Sequence, residues 1–245
     1  MSHAARAALV RFPTVRVSVL FSPAAVRVGG SCAVIIDVLR ATTTLTVALA
    51  NGARGVIPTA TPDEALALRA AQPDVLACGE RDGRRVPGFD LGNSPYEYTA
   101  ERVRGRTLAF ASTNGSLAML AAGGARRRVL AAFVNAGAVV DRVRGESEIT
   151  IVCAGKLGRF GLEDAACAGL LLARLEAHGA VAADPAARLA RSLAPADAAE
   201  VRALVGGAAH ARDLATMGGA YRRDLDRCAG LDTLDRAFEL ERPAG

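Results

Sequence analysis

Short apolar segments rich in β-branched residues alternate along this chain with alanine- and leucine-rich segments of helical composition. Two of the apolar segments, AVII at residues 33–36 and ITIVCA at residues 149–154, show no alternation between polar and apolar positions. Strands that are buried on both faces of a sheet have this appearance. Because helices that follow strands in this order connect parallel strands, the sequence predicts an α/β fold with a largely parallel sheet and helical crossovers.

The same patterns predict where the individual elements lie. Strands are predicted at residues 14–20, 33–39, 55–59, 74–78, 107–111, 129–134 and 149–153. Helices are predicted at residues 43–51, 62–71, 95–103, 116–122, 136–143 and 163–178. From residue 184 to residue 239 the pattern indicates helices and no strand. We therefore expect residues 1–245 to form a single α/β domain, or two closely joined halves, on which a helical extension at residues 184–245 is packed.

The chain is basic, with a formal net charge of +5. Almost all its cations are arginines scattered along the sequence, Lys156 is the only lysine, and only 4% of the residues are aromatic. We interpret the one dense run of arginines, at residues 126–128, as a solvated turn. This distribution argues against a nucleic-acid partner and favours a small anionic molecule.

Three features predict a cytoplasmic protein that does not enter a membrane. No segment approaches the roughly 20 uncharged apolar residues that span a bilayer. The first 20 residues contain several arginines and no apolar run that ends in a small-residue cleavage site, so we expect no signal peptide. The five cysteines are odd in number and form no CxxC pair, which favours buried thiols over disulfides.

Polar residues follow the predicted strands at the edge where ligands bind in open α/β sheets. Asp37 and Arg40 come at the end of the second predicted strand, and Thr42, Thr43 and Thr44 open the helix that follows. Asp37 is suited to ligate a metal, Arg40 to bind phosphate oxygens, and the threonine hydroxyls with the helix N-terminus to hold an anion. The alternative is a local pair between Asp37 and Arg40 with a threonine as helix cap.

Three further strand ends carry residues suited to the same chemistry, and the first is at residues 80–81. Glu80 is a candidate metal ligand or base, and Arg81 beside it is a candidate anion-binding residue. The alternative is a solvated charged loop.

The loop after the strand at residues 107–111 consists of small polar residues, Ser112, Thr113, Asn114 and Gly115. Backbone N–H groups in such a loop can hold a phosphate without a charged side chain. Asn114 and Gly115 are equally compatible with a simple turn.

The last segment follows the strand at residues 149–153 and ends in two adjacent acids, Glu163 and Asp164. Acids in a first helical turn are common, but these two lie at the same sheet edge as Asp37 and Glu80, and together the four supply the oxygen ligands that Mg²⁺ prefers. The segment also places Cys153 six residues before Arg159, the spacing of cysteine-dependent phosphatases. A cysteine nucleophile therefore stays open as an alternative.

Several other enzyme classes lack their sequence signals. The position two residues after Asp37 holds Leu39, whereas haloacid-dehalogenase phosphatases have a second acid there. The GxSxG, HExxH, GxGxxG and GxxxxGK[ST] patterns do not occur. The histidines, His3, His178 and His210, fall outside every strand-end segment, and we assign them no chemistry.

In this order and spacing, the strand-end segments resemble the 2-phosphosulfolactate phosphatase family. The matching segments are DVLRATTT at residues 37–44, GER at 79–81, GFDLGNSP at 88–95, STNGS at 112–116 and CAGKLGRFGLED at 153–164. The resemblance runs from about residue 17 to the C-terminal helices, where GGAYRRDLDRCAGLDTLD also resembles the family. It implies a magnesium-dependent phosphatase with its own α/β architecture, which cleaves 2-phosphosulfolactate to sulfolactate and phosphate, a step toward coenzyme M.

We therefore predict a phosphatase that acts on a small anionic phospho-acid with Mg²⁺ as cofactor. Asp37, Arg40 and Glu80 are the predicted catalytic residues. The predicted metal ligands are Asp37, Glu80, Glu163 and Asp164. The predicted phosphate- and substrate-binding residues are Thr42, Thr43, Thr44, Arg81, Ser112, Thr113, Asn114, Gly115 and Arg159. The alternatives are a phosphatase for another 2-phospho acid and a non-catalytic binding protein for a phosphorylated metabolite.

Overall fold

The computed structural model describes residues 15–23, 28–30 and 32–241, whose strands form two sheets. The strands are β1 (Arg16–Leu20), β2 (Cys32–Ile36), β3 (Gly55–Pro58), β4 (Val75–Arg81), β5 (Arg84–Arg85), β6 (Thr107–Ala111), β7 (Arg127–Ala131), β8 (Glu148–Cys153), β9 (Val181–Ala182) and β10 (Phe238–Glu239). The larger sheet has the order β10-β7-β2-β8-β1-β9, and the smaller has the order β3-β6-β4-β5. All pairs are parallel except β10 with β7 and β5 with β4, which confirms the predicted α/β fold with a largely parallel sheet.

Helices connect the parallel strands and continue beyond them. They are α1 (Ala41–Ala50), α2 (Pro62–Ala71), α3 (Ala100–Val103), α4 (Gly115–Ala121), α5 (Ala136–Val143), α6 (Leu162–Glu176), α7 (Pro185–Ser192), α8 (Ala198–Gly207), α9 (Ala209–Thr216) and α10 (Gly219–Cys228). The last four form the predicted helical region after residue 184. No helix among the described residues is long and apolar enough to cross a membrane.

Several predicted boundaries were wrong. The helix predicted at residues 95–103 is a 3₁₀ turn at Pro95–Glu97 followed by the short α3. The prediction of no strand after residue 184 missed β10, whose two residues carry no periodicity and pair with the edge strand β7 through backbone hydrogen bonds. The strand predicted at residues 14–20 begins at Arg16, while residue 14 lies outside the described residues.

The arginine run at residues 126–128 is not a solvated turn. Arg127 begins β7, and its guanidinium is 2.6 Å from the carboxylate of Glu146 and 2.6 Å from that of Glu239. Arg126 also pairs with Glu146, at 3.0 Å. Carboxylates on other elements thus compensate this local concentration of positive charge.

Apolar side chains fill the space between and around the sheets. One cluster lies between the two sheets and joins Ile35 of β2 and Phe110 of β6 to Leu45 of α1 and Met119 of α4. A second lies on the other face of the larger sheet, under α5 to α10. The C-terminal helices share this second core, so they are held against the sheet by apolar burial.

The register of the strands brings their carboxyl ends level. Ile36 at the end of β2 pairs with Ala131 of β7 and Cys153 of β8. In the smaller sheet, Gly79 of β4 pairs with Ala111 of β6. The loops that follow β2 and β8 therefore begin side by side, as do the segments that follow Gly79 and Ala111.

Candidate active site

A pocket of about 280 Å³ lies where these loops meet α9. Asp37 follows β2, Glu80 is in β4, Thr113 follows β6 and Lys156 follows β8, and all four line the pocket. Other lining residues are Arg40, Asn93, Asn114, His210, Asp213 and Met217. The pocket thus collects residues from both sheets and from the C-terminal helices.

Asp37 lies at the base of the pocket and is only 5% exposed. Its Oδ1 accepts a hydrogen bond of 3.2 Å from the N–H of Ala41 at the start of α1. Its Oδ2 lies against Gly115, where a Cβ atom would be only 2.5 Å away. Burial raises the pKa of Asp37 to about 6, and Glu80 and Glu163 add to the rise, whereas His210 and the Ala41 N–H oppose it.

Glu80 and Asp164 use both carboxylate oxygens to fix loops. Glu80 accepts hydrogen bonds of 2.7 Å from the N–H groups of Thr113 and Gly83. Asp164 accepts bonds of 2.8 Å from the N–H of Val38 and 2.9 Å from that of Gly155. Burial, with help from Glu163 and Asp37, raises the pKa of Asp164 well above its usual range. These two acids hold the loops after β2, β4, β6 and β8 in place.

Glu163 is buried, and one of its oxygens lies 3.7 Å from Nδ1 of His210. The sequence interpretation assigned no chemistry to the histidines, but His210 lines the pocket from α9. His178 lies in the turn after α6 and does not line the pocket, and His3 is outside the described residues.

The oxygen atoms of Asp37 and Glu163 are of the kind that Mg²⁺ uses. Oδ2 of Asp37 and the carboxylate of Glu163 accept no hydrogen bond from the residues that the structure describes. Within the same described ranges, no three His, Cys, Asp or Glu side chains are grouped so as to hold a metal ion. Mg²⁺ does not need such a group, because it is commonly bound by one or two carboxylates, several waters and substrate phosphates.

Arg40 is held firmly at the side of the pocket. Its Nη1 lies 2.7 Å from Oδ2 of Asp224 on α10, and its Nη2 donates a 2.8 Å hydrogen bond to the carbonyl of Gly83. Its guanidinium carbon is 4.9 Å from the centre of the Tyr221 ring. A guanidinium has five N–H donors, so these contacts leave donors for a ligand in the pocket.

The threonine hydroxyls after Asp37 serve the fold. Thr42 donates to the carbonyl of Ala131 at 2.7 Å, Thr43 to that of Val38 at 2.9 Å, and Thr44 to that of Asn93 at 3.1 Å. All three are fully buried, and none lines the pocket. They stabilise the loop that carries Asp37 and Arg40 instead of presenting hydroxyls to a ligand.

The loop after β6 enters the pocket only in part. Thr113 and Asn114 line the pocket, and Oδ1 of Asn114 accepts a 2.8 Å bond from the N–H of Leu157. Ser112 and Gly115 lie behind them, where Oγ of Ser112 accepts a 2.9 Å bond from the N–H of Ser116. This pair of residues shapes the loop and makes room for Asp37.

The two arginines expected to bind a second anion lie outside the pocket. The guanidinium of Arg81 donates to the carbonyls of Glu80 and Ala60, at 2.9 and 3.2 Å. Arg159 is exposed and does not line the pocket. The cation that the loop after β8 brings into the pocket is Lys156.

The cysteine alternative does not fit the geometry. Cys153 is fully buried, and burial raises the pKa of its thiol well above the usual value, with Asp164 adding to the rise. A reactive cysteine needs a stabilised, accessible thiolate. Since Arg159 points to solvent, the two residues do not converge on one phosphate.

Comparison with known proteins agrees with the motifs at this site. The family model described as 2-phosphosulpholactate phosphatase matches residues 21–243. Proteins named probable 2-phosphosulfolactate phosphatase include one from Deinococcus radiodurans, 44% identical over 204 residues that cover 82% of this chain and 84% of that protein. One from Symbiobacterium thermophilum is 40% identical over 216 residues, covering 86% and 92%.

A third relative with the same name, from Thermotoga petrophila, is 46% identical over 144 residues. That match covers 59% of this chain and 62% of the relative. The family model spans most of the chain, including the segments that supply Asp37, Glu80, Thr113, Glu163 and Asp224. The chain therefore belongs to the 2-phosphosulfolactate phosphatase family.

Proposed function

We propose that this protein is a magnesium-dependent phosphatase that hydrolyses 2-phosphosulfolactate to sulfolactate and inorganic phosphate. The observation that carries the proposal is the convergence of Asp37, Arg40 and Glu80 on one pocket from two separate segments, with the buried carboxylate of Glu163 close enough to raise the pKa of Asp37. Buried acids at such close range favour a cation between them, because each raises the energy of the others' charged forms. The names of the relatives supply the substrate.

In this proposal Asp37 and Glu163 would hold Mg²⁺ together with water, and Glu80 and Asp164 hold the surrounding loops. The metal would supply positive charge to the phosphoryl oxygens and activate water. Arg40 stabilises the charge that develops on the phosphoryl group, and the backbone near Thr113 and Asn114 orients it. Water forms a bond to phosphorus as the ester P–O bond breaks. The proton that this water releases passes to the leaving alkoxide, which departs as the hydroxyl of sulfolactate.

The proposal also covers the pathway and the cellular location of the protein. The family resemblance supports a role in the formation of coenzyme M, for which sulfolactate is a precursor. A cytoplasmic location is supported by Cys32, Cys78, Cys153, Cys167 and Cys228, which are all buried free thiols.

The test is a phosphate-release assay on a panel of small phospho-acids that includes 2-phosphosulfolactate, 2-phospholactate and 3-phosphoglycerate. We expect release from 2-phosphosulfolactate to be the fastest, to stop with EDTA and to return with excess Mg²⁺. Asp37→Asn is the matched inactive variant. Binding without release from any ester, in the presence of Mg²⁺, would instead identify a non-catalytic binding protein.

A further inference from the structure

An arginine and a lysine line the pocket within the described part of the chain, and they are held very differently. Arg40 is 4% exposed and paired with Asp224, which is 2% exposed. Lys156 is 28% exposed and paired with Asp213, which is 67% exposed. An ion pair open to solvent contributes little to stability, because both charges stay solvated when they separate. Lys156 can therefore exchange its partner for an incoming anion, whereas Arg40 cannot leave Asp224 at small cost.

The backbone of Lys156 is well anchored although its side chain is open. The N–H of Lys156 donates a 2.9 Å bond to the carbonyl of Arg159, and the N–H of Arg159 donates a 3.0 Å bond back. Beside them, the N–H of Leu157 donates to Oδ1 of Asn114 across the pocket wall. A fixed turn thus carries a long cationic side chain that is free to change its partner at the mouth of the pocket.

The pocket has a buried cation, Arg40, at one end and a more exposed cation, Lys156, at the other, and the substrate has more than one anionic group to place against them. The phosphate belongs with Arg40 and with the Mg²⁺ that the buried carboxylates would hold at the base. The carboxylate and the sulfonate of the substrate, on the two carbons beside the phosphoester carbon, then extend toward the mouth. A sulfonate carries a permanent charge on three equivalent oxygens. An ammonium group, a compact charge with three rotatable donors, suits such a group without the planar match that a guanidinium requires.

We propose that Lys156 binds the sulfonate of the substrate, exchanging Asp213 for it, and is the residue that selects a sulfonated phospho-acid over one without a sulfonate. This inference rests on the proposed function and assigns a residue to its specificity. It replaces Arg81 and Arg159, the sequence-based candidates for a second anion, with Lys156, the more exposed of the two cations that line the pocket.

The experiment compares kcat/KM for 2-phosphosulfolactate with that for 2-phospholactate, which has a methyl group in place of the sulfonate-bearing carbon. In Lys156→Met we expect the ratio to fall about 10- to 100-fold, the range for losing one hydrogen bond to a charged group. Lys156→Arg keeps the charge and should retain most of the ratio. Arg212→Met removes an exposed cation from α9 outside the pocket and should leave the ratio unchanged. An unchanged ratio in Lys156→Met, or a fall in Arg159→Met alone, would overturn the inference.

Binding of sulfolactate, measured by calorimetry, separates this inference from the proposed function. If the wild-type protein binds sulfolactate but releases no phosphate, the proposed function fails, and Lys156→Met still tests the inference through affinity. A 10-fold or larger loss of affinity supports the role of Lys156. Equal affinity of the two proteins, with matching thermal unfolding curves, contradicts it.

Discussion

Arg40 and Asp224 form a buried ion pair with an N–O distance of 2.7 Å, although 184 residues separate them in sequence. The other oxygen of Asp224 accepts a 2.6 Å hydrogen bond from the hydroxyl of Ser94. Asp224 thereby fixes an arginine at the pocket from a helix that contributes no strand-end motif. The position of Arg40 depends on the C-terminal helices as much as on its own loop.

We expect Asp224→Asn to lower both activity and stability. The amide keeps the shape but leaves the guanidinium of Arg40 buried without a counter-charge, which typically costs about 3–5 kcal/mol. A displaced arginine should lower kcat/KM by about 100-fold. Asp226→Asn, on the exposed side of the same helix, is the control for thermal unfolding and kinetics. Full activity at a lowered Tm would limit the pair to a structural role.

Asp37→Asn should abolish turnover and make the metal-free protein more stable at neutral pH. The pKa of Asp37 rises from 3.8 to about 6 on folding, so charging this carboxyl opposes folding. The penalty is absent below about pH 4 and complete above about pH 6, because the unfolded chain loses its proton first. In EDTA, the Tm of the variant should exceed that of the wild type at pH 7.5, and the difference should vanish at pH 4. Mg²⁺ should raise the Tm of the wild type only.

Gly115→Ala tests the close approach of α4 to the acid at the base of the pocket. The added methyl would lie 2.5 Å from Oδ2 of Asp37 and 2.5 Å from Cβ of Ala41, so Asp37 must shift. Small displacements of catalytic groups can cost about 100-fold in rate, so we expect kcat to fall at least 10-fold. Gly123→Ala introduces the same methyl where nothing lies within 4 Å and should leave kcat unaltered. If the two variants have the same kcat, the position of Oδ2 of Asp37 does not affect the reaction.

Cys153→Ser should retain activity within about tenfold, and the wild type should stay active after treatment with iodoacetamide. Both results are expected because the thiol of Cys153 is fully buried and its pKa is raised, so it presents no thiolate. Cys153→Ala is the control variant, because the buried hydroxyl of the serine variant could by itself impair folding. Steady-state assays before and after alkylation provide the measurement. EDTA-resistant activity that iodoacetamide eliminates would make Cys153 the nucleophile.

The strands and the helices that follow them were predictable because short stretches of sequence determine them. The strand at Thr107–Ala111 and the helices at Pro62–Ala71 and Ala136–Val143 have the predicted bounds, since apolar runs and caps determine them within a few residues. Parallel strands place their carboxyl ends together, and this rule predicted Asp37 and Glu80 as strand-end site residues. It did not predict that they belong to two different sheets, whose packing brings both residues to one pocket. The hydroxyl groups of Thr42, Thr43 and Thr44 bind backbone carbonyls instead of lining the pocket. A cluster of hydroxyl residues at a helix start is compatible with an anion site and with buried hydrogen bonds to the backbone, and the sequence does not distinguish the two.

The residues that the C-terminal helices contribute to the pocket could not be predicted from short sequence patterns. The helix that carries Asp224 reads YRRDLDRC, in which alternating arginines and acids are typical of a solvated face. Asp224 is nevertheless buried, because its partner lies on a different element. His210 and Asp213 likewise gain their roles only when α9 packs against the loop after β8. Contacts of this range depend on tertiary packing, which short windows of sequence do not encode.

The long separation between Arg40 and Asp224 also sets an order of events during synthesis. At about 5–20 residues per second, roughly 10–40 s pass between the addition of Arg40 to the nascent chain and that of its partner. Through that interval the guanidinium has no buried counter-ion, so the loop that carries it gains little from closing early. The nascent chain is therefore expected to hold a nearly complete larger sheet before it has a working pocket, and phosphate release should appear only once α10 has been made.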